Sequence, residues 1–188
     1  WLKGPELERQ LSYWRRQLEG VPAAPELPTD RPRPSTPSHQ GDLVSIELSS
    51  QLSEALKGLA VREGATLYMV LLAAFQLVLS RWSGQQDIVV GTANAGRTHR
   101  ELEGLVGLFV NMVVFRTKLS PELRFRDLLS SVKASAVDAY AHQSLPFGVL
   151  VNELHLPRDQ SRHPLVQAVF SLQNLPAISM DLPDLVLS

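Results

Sequence analysis

Residues 67–93 decide the fold class of this chain, and they read LYMVLLAAFQLVLSRWSGQQDIVVGTA. Leu67 to Trp82 are apolar around nearly the whole helical circumference, which predicts a helix covered by neighbours on several sides. Gly84 is expected to end this helix. Asp87 to Ala93 then form a continuous apolar run, which predicts a strand in a sheet covered on both faces. A buried helix followed by a buried strand indicates an α/β domain.

Further helices and strands are predicted on both sides of this unit. On the N-terminal side we expect a helix from Pro5 to Gly20, a strand over Leu43 to Leu48, and a helix capped by Ser49 or Ser50 and ended by Gly64. On the C-terminal side we expect a short helix over 102–106, strands over Leu108 to Phe115 and Leu165 to Leu172, and helices over Phe125 to Gln143 and Phe147 to Leu154. This order predicts a two-layer α/β sandwich with a mixed sheet flanked by helices.

The remaining segment, residues 21–41, contains six prolines between Pro22 and Pro37. Such a run cannot continue a helix and favours extended backbone. We therefore predict a proline-rich strap that lies over the surface of the domain.

Composition excludes several classes of function. The 188 residues contain 18 Lys+Arg and 19 Asp+Glu, giving a net charge of −1, so the basic footprint of a nucleic-acid-binding protein is missing. The absence of cysteine excludes disulfides, thiolate zinc sites and a cysteine nucleophile. The longest apolar stretch, Leu67 to Leu79, is too short to span a bilayer, and the N-terminus does not resemble a signal peptide. We expect a cytoplasmic protein without membrane contact, and both ends suggest a piece of a longer polypeptide.

No familiar catalytic motif stands in the chain. Gly-x-Ser-x-Gly and the phosphate-binding Gly-x-x-x-x-Gly-Lys-Ser/Thr are both absent. Gly104 and Gly107 precede a strand, whereas the glycines of a dinucleotide fingerprint follow one. The five histidines form no pair at helical spacing, so no metal site is predicted.

Two polar segments flank predicted elements. His142 follows a long helix, where a histidine either interacts with the helix dipole or shapes a site. Arg158 to Leu165 hold four ionisable side chains just before a strand, and Arg158 or Arg162 can pair with Asp159. Polar groups at strand ends either form such internal pairs or line a cleft.

Three ordered motifs resemble a known family. Residues 104–111 read GLVGLFVN, residues 142–148 read HQSLPFG, and residues 158–165 read RDQSRHPL. They resemble the Val/Ile-Gly-x-Phe-Val-Asn-Thr, His-Gln-Asp-x-Pro-Phe-Glu and Arg-Asp-x-Ser-Arg-x-Pro-Leu motifs of the condensation domains of nonribosomal peptide synthetases. The chain departs from these motifs at Met112, Ser144 and Gly148, where threonine, aspartate and glutamate are usual.

The resemblance implies a chloramphenicol-acetyltransferase-like fold, whose two lobes enclose a tunnel, with residues 1–188 as the C-terminal lobe truncated at both ends. In that family a donor aminoacyl or peptidyl thioester is joined to an acceptor aminoacyl thioester. Peptidyl carrier proteins present both on phosphopantetheine arms, so no cofactor is bound directly. The implied partners are the N-terminal lobe, the carrier proteins and an adjacent adenylation domain.

The family's His-His-x-x-x-Asp-Gly signature belongs to the first lobe and is absent here. We therefore expect no catalytic residue in this chain and no activity from the chain alone.

The resemblance also nominates residues that line the tunnel or the lobe interface. Asn111 corresponds to the strand facing the tunnel, and Gln143 and Pro146 to the crossing between the lobes. Arg97 corresponds to the arginine that pairs with the signature aspartate, although it could equally be a solvated loop residue. The remaining candidates are His142, Arg158, Ser161 and Arg162, of which the two arginines look structural.

Other interpretations remain open. An epimerisation domain has the same fold, but its strand motif reads Val-Gly-Trp-Phe-Thr, unlike the segment from Val106 to Asn111. A non-catalytic lobe could instead dock a carrier protein. A lobe separated from its partner exposes apolar surface, which favours a homodimer. The Arg158 to Arg162 motif favours an L-configured donor.

Overall fold

The computed structural model of this chain describes residues 2–22, 27–36, 40–97, 99–155 and 161–173. In these ranges the helices are α1 (Gly4–Gln17), α2 (Ser50–Arg62), α3 (Leu67–Ser83), α4 (Phe125–Ala141) and α5 (Phe147–Glu153). The strands are β1 (Asp87–Asn94) and β2 (Asn111–Lys118), and a single 3-10 turn covers Arg100–Leu102. The structure thus contains the helices expected before residue 67 and after residue 124.

Short polar side chains begin two of the helices, and Ser49 is one of the two caps predicted for the first of them. The Ser49 hydroxyl accepts a hydrogen bond from the Leu52 amide at 3.2 Å, and the Thr66 hydroxyl accepts one from the Met69 amide at 3.2 Å. Each bond satisfies a backbone donor that the first turn of a helix leaves without a partner.

The two strands form an antiparallel ladder. Its register runs from Asp87 opposite Lys118 at one end to Asn94 opposite Asn111 at the other. Residues 88–92 are consecutively buried, which confirms the prediction of a strand covered on both faces. Val169 adds a parallel bridge to Gly91, so the strand connections are mixed.

Two helices cover this ladder and create the layered core. Helix α3 packs against β1, α4 packs against β2, and the two helices pack against each other. Gln76 of α3 is fully buried, and its Oε1 accepts a hydrogen bond from the Thr117 hydroxyl at 3.0 Å. The two-layer α/β architecture is therefore confirmed, and its centre is formed by Val70, Leu72, Ala73, Ile88, Val90, Val113, Val114, Phe115, Leu129, Val132 and Ala136.

A buried arginine holds the end of α1 against β2. Arg116 makes a two-point ion pair with Asp87, at 2.9 and 2.7 Å. Its guanidinium also donates to the carbonyls of Gln17, Glu19 and Gly20, at 2.8 to 3.3 Å. These carbonyls lie at or beyond the end of the helix, where backbone acceptors need outside partners.

Several strand predictions need correction. The strand predicted over Leu43 to Leu48 is wrong, because the segment pairs with no other strand in the described ranges and Leu43 is 86% exposed. The strand expected over Leu108 to Phe115 begins three residues later, at Asn111. The strand over Leu165 to Leu172 is reduced to the bridge at Val169, although Val166 and Ala168 are buried beside β1. Alternation shows that a segment can pair but not which partner is present.

Two smaller expectations can also be compared with the structure. The short helix over 102–106 is replaced by the 3-10 turn that ends at Leu102. The described parts of the strap over 21–41 are 21–22, 27–36 and 40–41, and all are free of helix and strand. Residues 21–22 are partly buried, and the other two parts are exposed. No single helix in the described ranges is long and apolar enough to cross a membrane. Helices α2 and α3 meet this length and composition only when taken together, and the pair is bent by 105°.

Gly91 is expected to tolerate no side chain. A Cβ there would lie 2.6 Å from Val166 Cγ1 and 2.7 Å from Met112 Sδ. We expect Gly91→Ala to lower the free energy of unfolding in urea by about 1–3 kcal/mol, because the packed core must shift. Gly58→Ala, inside α2, is the matched control and should instead raise it by about 0.5–1 kcal/mol. Equal effects of the two substitutions would contradict this packing.

Candidate functional site

A cleft of about 290 Å³ opens where the strand ladder ends. It lies between that end of the sheet and the turn joining α4 to α5. None of the side chains that line it in the described structure is charged, and they belong to Asn94, Gly96, Phe109, Val110, Asn111, Gln143, Ser144 and Pro146. Three of the predicted site residues, Asn111, Gln143 and Pro146, are thus brought together.

Asn111 connects β2 to the α4–α5 turn through all of its side-chain polar atoms. Its Nδ2 donates to the carbonyls of Gln143 at 2.9 Å and Leu145 at 2.8 Å. Its Oδ1 accepts from the Phe147 amide at 2.9 Å. The Asn111 side chain therefore supports the wall of the cleft, and both of its N–H donors are used within the protein.

Asn94 is a site residue that the sequence analysis did not single out. Its Oδ1 accepts from the Gly96 amide at 2.8 Å, and its Nδ2 donates to Gln143 Oε1 at 2.5 Å. An asparagine that bonds the amide two residues ahead forms an Asx turn. Asn94 followed by Ala-Gly at the end of a strand was the available signal for this turn.

Arg97 lies at the rim of the cleft and interacts with its own loop. Its guanidinium donates to the carbonyls of Leu102 and Leu105, the latter at 2.8 Å, and stands 4.4 Å from the centre of the Phe109 ring. The loop approaches itself closely here: Gly96 has a φ of +67°, and a Cβ there would lie 1.8 Å from the Phe109 carbonyl oxygen. Arg97 is therefore held in place rather than solvated.

His142 lies on the opposite side of the turn, against α1. Its ring stacks on Tyr13 with centroids 3.9 Å apart, and its Nε2 lies 2.9 Å from the Arg9 guanidinium. Its Nδ1 lies 2.8 Å from the Asp138 carbonyl, and its own carbonyl accepts from the Trp14 indole at 2.9 Å. His142 does not line the cleft, and its contacts dock α1 on the end of α4.

Two ionisable groups near this docking point have shifted pKa values. Hydrogen bonds from Arg9 and Gln10 lower the pKa of the Glu6 carboxyl from 4.5 to about 2. Burial raises the pKa of the Tyr13 phenol to about 12. Glu6 is thus ionised and Tyr13 neutral at every physiological pH.

Of the remaining candidates, Arg158 lies outside the described residues. Ser161 and Arg162 belong to a separate segment, described from Ser161 onward. Ser161 accepts a hydrogen bond from the Arg33 guanidinium of the strap through its carbonyl, at 3.5 Å. His163, next to Arg162, stacks on Phe147 with ring centroids 5.5 Å apart. This segment therefore contacts the back of the α4–α5 turn rather than the cleft.

Apolar side chains next to the cleft are exposed. Val106 is fully exposed and Leu108 is 92% exposed, in the loop that leads into β2. Leu43, Val44 and Ile46 form a second exposed apolar segment. Patches of this kind are typical of surfaces that bind another protein or domain.

The comparison with known families decides the family. A family model for the Condensation domain matches residues 1–182. This chain belongs to the condensation domain family. No group of three acidic or histidine side chains close enough to hold a metal ion occurs in the part of this condensation domain that the structure describes.

Curated relatives of this condensation domain are peptide synthases. It is 52% identical over 176 residues to a linear gramicidin synthase of Brevibacillus parabrevis, and the match covers 94% of this chain and 2% of the synthase. It is 44% identical over 167 residues to surfactin synthase subunit 1 of Bacillus subtilis (strain 168), covering 89% of this chain and 5% of the synthase. The chain therefore spans a small part of the length of these relatives.

Solved structures confirm the fold. A four-domain nonribosomal peptide synthetase bound to AMP and glycine superposes with a TM-score of 0.88 at 27% identity, covering 92% of this chain and 13% of that one. The X-domain from teicoplanin biosynthesis superposes with a TM-score of 0.82 at 29% identity, covering 87% of this chain and 36% of that one. The chloramphenicol-acetyltransferase-like fold expected from the motifs is thus confirmed.

Removal of the Asn111 side chain should destabilise the domain. Asn111→Ala leaves two carbonyls and one amide of the α4–α5 turn without their partner, and we expect a loss of about 1–3 kcal/mol in the free energy of unfolding. Asn152→Ala, on the exposed face of α5, should change it by less than about 0.5 kcal/mol. Urea denaturation of both variants measures the difference, and similar midpoints would contradict the role of Asn111.

Glu6 should contribute to stability in a defined pH window. Because its pKa is lowered in the folded chain, its stabilisation is complete above about 4.5 and is lost as the pH falls towards about 2. We expect Glu6→Gln to be less stable than wild type at neutral pH and equal to it near pH 2. Acid titrations followed by tryptophan fluorescence measure this, with Glu122→Gln, outside α1, as the control. A constant difference across the window would contradict the assignment.

Proposed function

We propose that this chain is the C-terminal lobe of a condensation domain within a longer nonribosomal peptide synthetase. The parent domain joins a donor aminoacyl or peptidyl thioester to the amine of an acceptor aminoacyl thioester. A C–N bond forms, the C–S bond of the donor breaks, and the amine proton leaves with the departing thiol. The observation that carries the proposal is the identity of about half of the residues with linear gramicidin synthases over nearly the whole chain.

The uncharged lining of the cleft supports this function. Its lining offers amide groups, one hydroxyl and apolar surface, which suits a chain built of amide and thioester groups. A carrier-bound phosphopantetheine arm fits such a lining, and when bound it supplies the activated acyl carbonyl. The chain's own residues bind and orient the acyl chain, and Asn111 keeps the wall of the cleft rigid.

Catalytic assistance to proton transfer is assigned to the partner lobe. Neither a His-His pair nor a His-His-x-x-x-Asp-Gly motif occurs in this sequence. A positioned general base contributes roughly 10²–10⁴-fold, and placing two substrates in one tunnel contributes more. We therefore propose that the isolated chain is inactive.

The partners follow from this assignment. The chain is proposed to contact the N-terminal lobe, the peptidyl carrier proteins and an adjacent adenylation domain in the cytoplasm. The exposed side chains around Val106 and Leu108 are proposed to pack against the N-terminal lobe. In the isolated chain the same apolar surface would favour a homodimer. The motif at Arg158 to Arg162 supports an L-configured donor.

A non-catalytic docking function is the second candidate. The X-domain that resembles this chain was solved as a complex with OxyB from teicoplanin biosynthesis. A condensation-type fold can thus be part of a protein complex. The exposed apolar loop before β2 would suit a similar role here.

Reconstitution distinguishes the two functions. The chain is mixed with its separately expressed upstream lobe and two loaded carrier proteins, and the intact carriers are weighed for a transferred dipeptide. We expect transfer with both lobes and none with either lobe alone. If the intact parent domain also transfers nothing, amide formation is excluded and docking is supported. Inverted configuration on a single carrier would instead indicate epimerisation and contradict the proposal.

A further inference from the structure

A backbone amide fixes the orientation of two side-chain amides at the cleft. The Gly96 N–H can only donate, so the Asn94 atom that faces it, at 2.8 Å, must be Oδ1. The Asn94 Nδ2 is therefore directed at Gln143, 2.5 Å away, and the Gln143 atom that receives this donor must be Oε1. Oxygen and nitrogen are thus assigned at both residues by hydrogen-bond chemistry.

This chain of bonds leaves one donor group unused, the side-chain NH₂ of Gln143. Gln143 Nε2 has no hydrogen-bond partner in the part of the chain that the structure describes, and Gln143 lines the cleft. The neighbouring Asn111 amide is fully used by the α4–α5 turn. Ser144 also lines the cleft, but a hydroxyl rotates and its donor direction is not fixed in the same way.

The acceptor for this donor can be described by its chemistry. No charged side chain lines the cleft, so nothing there would compensate the desolvation of an anion. A neutral carbonyl oxygen, from an amide or a thioester, is the matching acceptor.

We propose that Asn94 is a positioning residue, which holds Gln143 so that Nε2 donates a hydrogen bond to a neutral carbonyl oxygen of the bound acyl chain. The proposal rests on the proposed function for the identity of that chain. Asn94 itself acts through Gln143, and Gln143 is the residue that touches the ligand.

Asn94→Asp tests the inference because it reverses the polarity of the network. The substituted carboxylate still accepts from the Gly96 amide, but its second oxygen can no longer donate to Gln143. Gln143 must then turn its Nε2 towards position 94 and its Oε1 towards the cleft. Asn152→Asp, on the exposed face of α5, adds the same charge away from the cleft and is the matched control.

Nuclear magnetic resonance detects the reversed orientation of the Gln143 side-chain amide and needs no measurement of enzymatic activity. The side-chain NH₂ signals of Gln143 in the ¹⁵N-labelled chain are assigned by their loss in Gln143→Leu. We expect one of the two protons to move downfield and to exchange more slowly with solvent in Asn94→Asp, and neither to change in Asn152→Asp. Unchanged signals in Asn94→Asp would overturn the positioning of Gln143 by Asn94.

Kinetics in the parent synthetase tests the donor role. We expect Asn94→Asp and Gln143→Leu each to lower kcat/KM for dipeptide transfer by about 3- to 10-fold, the value of one hydrogen bond. The double variant should be no slower than the slower single variant, and Asn152→Asp should match wild type. Full activity of both single variants would overturn the donor role. If the wild-type parent transfers nothing, the proposed function is contradicted and the acyl chain is no longer the expected ligand. The resonance experiment would still show whether Asn94 positions Gln143.

Discussion

The three hydrogen bonds of the Asn111 side chain are the constraint on which the functional part of this molecule depends. They join the first residue of β2 to the carbonyls of Gln143 and Leu145 and to the amide of Phe147. The end of α4, the turn and the start of α5 are thereby held at one distance from the sheet. The backbone amides and carbonyls of such a turn need partners, because these groups are costly when they are buried and unpaired. The cleft exists because this distance is fixed.

Polar contacts at both ends of the ladder fix its register. At one end Arg116 joins Asp87 to the carbonyls at the end of α1, and at the other Asn94 and Asn111 stand opposite each other. A slip of one residue between β1 and β2 would turn every side chain to the other face of the sheet and break both sets of contacts. The apolar centre of the ladder supplies most of the burial, but it distinguishes poorly between registers, since Val89, Val90, Val113 and Val114 are nearly interchangeable. The polar ends supply the distinction.

The described cleft offers a neutral binding surface, and we propose that the catalytic groups lie in another part of the synthetase. The cleft presents neutral amides, and the loop beside it exposes apolar side chains to solvent. Arg97 is held by its own loop and by the Phe109 ring, so the rim of the cleft keeps its shape in the described structure. These properties agree with membership of a family whose chains are much longer than this one. We propose that proton transfer and substrate delivery are carried out by other parts of the synthetase.

Residue patterns were enough to predict the fold class and most of the helices and strands. The helix over Leu67 to Trp82 and the strand at Ile88 to Val90 could be predicted because buried elements are rich in apolar residues. The ordered motifs identified the family and brought Asn111, Gln143 and Pro146 together as candidates. Features that depend on contacts between distant parts of the chain could be seen only in the tertiary structure. Leu43 to Leu48 alternate like a strand yet pair with no strand among the described residues, and His142 packs on Tyr13 rather than entering the cleft. Asn94 acquires its role only when Gln143, 49 positions away, is brought to its side chain. Composition and periodicity describe only neighbouring positions, so they do not indicate a hydrogen bond between residues far apart in sequence. Such a bond is seen only in the folded structure.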